Sequence, residues 1–184
     1  VVGKAVSAFR RCLPIWSLLA GHTLLFIFVG YIHPIVLFHL LLVTIWVSFF
    51  TVSMGLYFSS RFGRTTSSVV ASFGLVLGLW AAGPVLAGVL GAMAREMDPF
   101  VKYMMFHPAI QTELILNAAS GVRNADLPLG NLVYGGDRVI FGINQETFGV
   151  WTMTGILAGT ALVYCAVSLL FLWRATCRLR RSLF

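Results

Sequence analysis

The groups able to do chemistry in this 184-residue chain are few: four histidines, three cysteines, six acids and a scatter of serines. His22 and His39 lie inside long apolar runs, where an ionisable side chain is expensive and raises the hypothesis of a metal site or proton relay. Either would need the two rings at similar depth. Counted along a helix from the turn at Pro34, His22 lies about 17 Å in and His39 about 8 Å in, while His33 sits at the rim. No Asp, Glu or Cys in those two runs completes a ligand set, so packing or interhelical hydrogen bonding is the better reading. Nucleophilic chemistry has no more support. Ser17, Ser48 and Ser53 have no GxSG-like elbow and no carboxylate within any apolar run, and serines in membrane helices commonly bond back to a helix carbonyl. No GxxxxGK loop is present to cradle a nucleotide. Cys12, Cys165 and Cys177 form neither a CxxC nor an even framework, and reduced, unpaired thiols are expected. The expectation is a chain with no catalytic, cofactor or metal site of its own.

The elements that carry these residues are apolar to an unusual degree. Hydrophobic residues make up 59% and charged residues 10%, with mean hydropathy +0.90, whereas soluble domains carry about a quarter charged residues. Long charge-free runs imply lipid as the solvent, since a spanning helix needs roughly 20 apolar residues. Four spans can be drawn, at residues 15–32, 35–58, 68–94 and 148–173. The first closes at His33-Pro34, where proline disfavours further helix. The third is glycine-rich, and Pro84 within it removes a backbone donor and predicts a kink. The expected fold is an all-α polytopic membrane protein, with four transmembrane helices and short re-entrant or interfacial helices on the outer side. The chain starts at Val1 with no signal-peptide pattern, which reads as a fragment lacking its N-terminal part.

Charge sets the expected orientation. Lys4, Arg10 and Arg11 precede the first span, Arg61 and Arg64 separate the second and third, and Arg174, Arg178, Arg180 and Arg181 follow the fourth. With four spans these places share one side, which then holds no acid. The segment 95–147 carries Arg95, Lys102, Arg123 and Arg138 together with all the acids: Glu96, Asp98, Glu113, Asp126, Asp137 and Glu146. The positive-inside rule assigns the basic side, with the tail 174–184, to the cytoplasm of a cell (inner or plasma) membrane and 95–147 to the exterior. Nucleic acid is excluded as a partner despite the net charge of +7, because the basic residues are spread over three membrane-flanking places with no aromatic platform beside them.

Within 95–147, residues 98–121 are half apolar, and His107-Pro108 splits them into pieces too short to span; two helices lying at or dipping into the outer face are expected. Residues 127–142 carry turn signals and read as an exposed loop or small hairpin. Gly74 with Gly78, and Gly155 with Gly159, are small-xxx-small pairs that allow close helix approach, within the chain or at a subunit interface lined by the third span. Trp16, Trp151 and Trp173 fall near span ends as interfacial anchors.

Taken in order, these features resemble the transmembrane subunit of type-2 ATP-binding-cassette exporters. The resemblance rests on Gly3-Lys4 opening a short basic helix, the hairpin ending GLYFSSRFGRTT, Leu79-Trp80 in a Gly/Pro-rich span, His107-Pro108, and the last span running into WRATCRLRRSLF. It covers the whole chain as the last four of six spans and depends more on order than on any single peptide. It implies that residues 1–13 are a first cytoplasmic coupling helix whose Lys4, Arg10 and Arg11 meet an ATP-binding subunit. It further implies a second contact at 59–66 through Ser60, Arg61 and Arg64. By the same resemblance the third span, with Gly74, Gly78 and Pro84, would face a second permease copy, and residues 98–121 would be paired re-entrant helices. ATP and magnesium would belong to the partner subunit, so the chain itself is no enzyme. The alternatives are a non-transporting membrane scaffold or assembly subunit, which needs no coupling helix, and an intramembrane enzyme, which needs level polar groups that the spans lack.

Overall fold

In a computed structural model of the chain, residues 2–94, 103–120, 133–134, 139–140, 143–144 and 148–183 are described. Helix α1 runs Val2–Phe28 with Pro14 inside it. Residues 2–13 and the apolar stretch Leu13–Phe28, read from the sequence as parts of a separate basic helix and a span, are therefore one continuous helix. It stops at Phe28, earlier than His33-Pro34 implies, and glycine is the reason. Gly30 takes φ +79°, a left-handed conformation that costs a residue with a Cβ about 1–2 kcal/mol. Its N–H bonds Ile27 O at 3.0 Å while the Tyr31 N–H reaches back to Phe26 O at 2.9 Å. This pair of bonds is a Schellman cap, and it satisfies carbonyls that the helix end would otherwise leave open.

Helix α2, Pro34–Arg61, starts at once. His33 is its N-cap: the ring Nδ1 accepts from the Ile35 N–H at 3.3 Å, and Pro34 occupies the first turn, where its missing N–H does no harm. Arg61 ends α2, and α3, Thr65–Leu77, begins after the N-cap Arg64. The next element is a π-helical segment, Gly78–Ala82, which leads into α4, Gly83–Ala94. Helix α5 is Pro108–Ser120, preceded by a helical turn at 103–105, and α6 is Val150–Leu183. Two small antiparallel ladders lie before α6. β1 (Val133–Tyr134) pairs with β4 (Phe148–Gly149), and β2 (Val139–Ile140) pairs with β3 (Ile143–Asn144).

Among the described residues, three helices are long and apolar enough to cross a membrane: Pro34–Arg61, Thr65–Met93 and Val150–Arg178. These are helices of a multi-pass membrane protein.

Helix α2 is the hub. Its buried residues Val36, His39, Leu40, Val43, Trp46, Phe50, Ser53 and Met54 recur at three- and four-residue steps, which places them along one seam. That seam packs against Val150, Met153 and Leu157 of α6 and against Leu114 and Ile115 of α5. His39 meets Thr154, Trp46 stacks on Tyr164, and Tyr57 lies against Phe171. Residue numbers rise together on the two helices, so α2 and α6 run parallel. Arg61 and Arg174 therefore lie toward the same end of the bundle. Several hydroxyls inside the helices are hidden in the way apolar surroundings require, on the carbonyl one turn back. Examples are Thr23 on Leu19 O (2.9 Å), Thr44 on Leu40 O (2.8 Å), Ser72 on Ser68 O (2.8 Å) and Ser168 on Tyr164 O (2.7 Å).

The short link between α1 and α2 depends on the left-handed residue. Gly30→Val should lower the stability of the chain in detergent by about 1–2 kcal/mol, read as a lower midpoint of thermal unfolding, whereas Gly21→Ala inside α1, where a Cβ meets nothing, should not lower it.

Candidate functional site

The region where most polar groups converge is the break in the helix 65–94, and proline causes it. In an α-helix the carbonyl of Trp80 would accept from residue 84, but Pro84 has no N–H. The local register is π rather than α: the Gly83 N–H goes to Gly78 O. This leaves Leu79 O waiting in turn for residue 84. Two consecutive carbonyls thus lose their helical donors, in a part of the chain where hydrocarbon would offer none.

Both are satisfied from outside the helix. The Tyr103 hydroxyl donates to Leu79 O at 2.7 Å, and His107 Nε2 lies 2.7 Å from Trp80 O. A carbonyl only accepts, so Nε2 carries the proton. His107 Nδ1 in turn accepts from the Ala109 N–H at 3.2 Å, which makes the ring the neutral Nε2–H tautomer and at the same time the N-cap of α5, with Pro108 in its first turn. The two His-Pro pairs of the chain, His33-Pro34 and His107-Pro108, therefore start helices in the same way. Glycine at 83 is part of the fit, because a Cβ there would overlap the Tyr103 hydroxyl.

The segment that supplies these donors is itself anchored. Gln111 is fully buried, and its Nε2 donates to Met105 O and to Thr160 Oγ1, both at 2.9 Å. Thr160 can accept because its own proton goes to Ile156 O at 2.7 Å. A continuous set of hydrogen bonds so runs from α6 through Gln111 and the 103–107 turn to the broken helix. Aromatic rings fill the space beside it. Tyr164 stacks on Trp46 with centroids 4.3 Å apart, meets Phe50 edge-on at 5.1 Å, and its hydroxyl lies 3.4 Å from Trp80 Nε1. Nearer the start of α6, His39 Nε2 lies 2.9 Å from Thr154 Oγ1. Thr154 spends its proton on Val150 O at 2.8 Å, so the imidazole is the donor. Gln111 Oε1, Trp46 Nε1 and Ser53 Oγ are buried with no hydrogen-bond partner among the described residues.

The residues singled out from the sequence fall into three groups. His107, Pro108 and Pro84 belong to the site. Arg10, Arg11, Arg61 and Arg64 are exposed, away from it. Arg61 reaches Tyr57 Oη at 3.4 Å, and the Ser60 hydroxyl bonds back to Tyr57 O at 2.7 Å. The Lys4 side chain lies outside the described residues. Gly74, Gly78, Gly155 and Gly159 form the third group: a Cβ at any of them would meet nothing within 4 Å, so none supports a close helix contact inside the chain.

The histidines of the apolar runs do not meet: His22 is exposed, with Nδ1 3.0 Å from Leu18 O, while His39 is buried against α6. No cluster of three His, Cys, Asp or Glu able to hold a metal occurs among the described residues. Cys165 is half-buried and Cys177 exposed, both free thiols. Sequence reasoning missed Tyr103, Gln111, Thr154 and Thr160. A signal for Tyr103 was available, since Pro84 in an apolar run demands an outside donor.

No protein-family model matches the chain, and no curated protein or solved structure matches it.

A double-mutant cycle of His39→Phe and Thr154→Val should return a coupling of about 0.6 kcal/mol, the average for interhelical hydrogen bonds in a membrane. The measurement is equilibrium unfolding in mixed micelles; purely additive losses would mean the pair contributes by packing alone.

Proposed function

We propose that this chain is the membrane-spanning permease portion of an ATP-binding-cassette exporter, coupled to a separate ATPase subunit and working beside a second permease copy. The observation that carries this reading is the broken helix 65–94, with its irregular carbonyls satisfied by a segment that folds back against α2 and α6. Non-helical backbone within an apolar bundle is tolerated where protein or a water-filled path covers it, and broken helices of this kind recur along transport paths. The packing of Leu114 and Ile115 into the core supports treating 103–120 as a re-entrant element between the third and fourth spans.

In this reading α1 is the first of four spans. Its apolar stretch Leu13–Phe28 is about 24 Å long, short of the roughly 30 Å hydrocarbon core, and local thinning of the bilayer accommodates the difference. The basic turns at Lys4, Arg10 and Arg11 extend this span as a lever, and Ser60, Arg61 and Arg64 provide a second, smaller contact in the tight turn between α2 and α3. Both would lie in the cytoplasm with the end of α6. ATP-driven closure of two partner subunits would press on these ends and move the spans as rigid bodies. Hydrolysis, ATP and magnesium stay with the partner. This chain contributes lever and half a path.

Co-purification of the full-length protein with an ATPase subunit bearing a P-loop tests the reading directly. Replacing Lys4, Arg10 and Arg11 by Glu should abolish that association while leaving membrane insertion intact. Retained association and transport would refute the coupling assignment, and a scaffold that binds no ATPase at all would replace the permease reading. Ser182→Cys should resist a membrane-impermeant thiol reagent in intact cells; labelling from outside would reverse the orientation.

A further inference from the structure

We propose that Gly78–Pro84 is a two-register hinge in the helix 65–94, that Tyr103 is the latch holding it in the π register, and that His107 is its pivot. The hinge has two near-equivalent hydrogen-bond patterns because one donor serves two acceptors. In the observed pattern the Gly83 N–H bonds Gly78 O and the Tyr103 hydroxyl covers Leu79 O. In the α pattern the Gly83 N–H returns to Leu79 O, its normal i→i−4 partner, and Tyr103 is released. Neither pattern offers a backbone donor in the i→i−4 position to Trp80 O, since Pro84 has none, so His107 is the pivot that stays useful in both.

Three features make the latch a device and not only a repair of a broken helix. Gly83 is the residue at which a side chain would exclude the Tyr103 hydroxyl, so the seat for the latch is built into the hinge itself. The latch turn is tied to another helix, not to the one it controls: Gln111 holds Met105 O and Thr160 of α6 together at 2.9 Å each. Finally, the arm that would move is little packed within this chain. No residue of the most apolar window of Thr65–Met93 is buried, and Val85, Leu86, Val89, Leu90 and Met93 of α4 are all more than half exposed. A displacement of α6 relative to α2 would therefore be transmitted through Thr160 and Gln111 to the register of the hinge. A discrete element biased from two sides is the physical requirement for such coupling. The hinge is a property of this chain and holds whatever partner moves it.

The test is the distance across the hinge in the full-length protein reconstituted in lipid nanodiscs. Spin labels at Val69→Cys on α3 and Met93→Cys on α4, with Cys12, Cys165 and Cys177 replaced by Ala, should give one narrow distance distribution. Tyr103→Phe, which removes only the hydroxyl, should add a second, distinct distance, and Thr160→Val, which severs the tie to α6, should do the same. In a Pro84→Ala background, where the N–H to Trp80 O is restored and the α-ladder can close, Tyr103→Phe should have no effect. A control pair at Ile45→Cys and Leu162→Cys reports whether α2 and α6 remain packed. Should Tyr103→Phe disturb that control, Thr160→Val decides alone. A single unchanged distance in the deciding variants would overturn the hinge. So would the same added distance with and without Pro84, because the effect would then not run through the break.

Discussion

A proline in an apolar helix leaves a carbonyl that lipid cannot satisfy, and the arrangement around the helix 65–94 follows from that single missing hydrogen. Pro84 withholds a donor from Trp80 O, and the π register of Gly78–Ala82 moves a second vacancy to Leu79 O. An unmet polar group at such a position costs several kcal/mol. Tyr103 and His107 are the protein's answer, and their positions constrain what surrounds them. Residue 83 must lack a side chain, α5 must start at His107-Pro108, and Gln111 must be buried deeply enough to hold the turn against Thr160.

The rest of the bundle obeys the same rule with less strain. Helix α2 has partners on several sides, and its buried polar residues, His39 and Ser53, fall on its buried seam. His39 uses that seam to reach Thr154. Thr154 and Thr160 return their protons to their own helix, which leaves their oxygens free to accept from a neighbour. His39–Thr154 and Gln111–Thr160 each join a donor on one helix to a hydroxyl already committed on another, so both hydroxyls have a defined direction. By contrast, the glycine pairs at 74/78 and 155/159 face open space, and the apolar arm that carries the first pair is held to the bundle mainly through α2 at one end and the Tyr103 and His107 contacts at its middle.

Charge organises the molecule along its length. The parallel course of α2 and α6, set by the ring contacts from Trp46–Tyr164 to Tyr57–Phe171, brings Arg61, Arg64, Arg174 and Arg178 toward one end. Their exposed side chains are free to meet headgroups or an acidic partner surface. Arg174 lies 6.0 Å from the ring of Trp173, the kind of aromatic–basic pair that favours a membrane boundary.

The apolar character, the helical class, the helix 65–94 with its proline break, and the crowding of basic residues at helix ends could all be read from residue order, because they depend on hydropathy and on the backbone chemistry of Pro and Gly. Helix ends were less legible. The separation of 1–13 from the apolar part of α1 came from the family resemblance and the basic residues ahead of the first span, yet the helix continues through Pro14, and an interior proline that loses one hydrogen bond need not stop a helix. The stop at Phe28 came from Gly30, whose left-handed φ is one of several conformations glycine allows. Which histidine is buried, and which tyrosine finds the broken carbonyl, depended on contacts between residues 24 to 115 positions apart. Periodicity along one segment carries no information about such pairs. Pro84 by itself determined that some outside donor was needed; only the packing of 103–111 against α6 decided that Tyr103 and His107 would be the donors, because their reach is set by where Gln111 and Thr160 hold the turn.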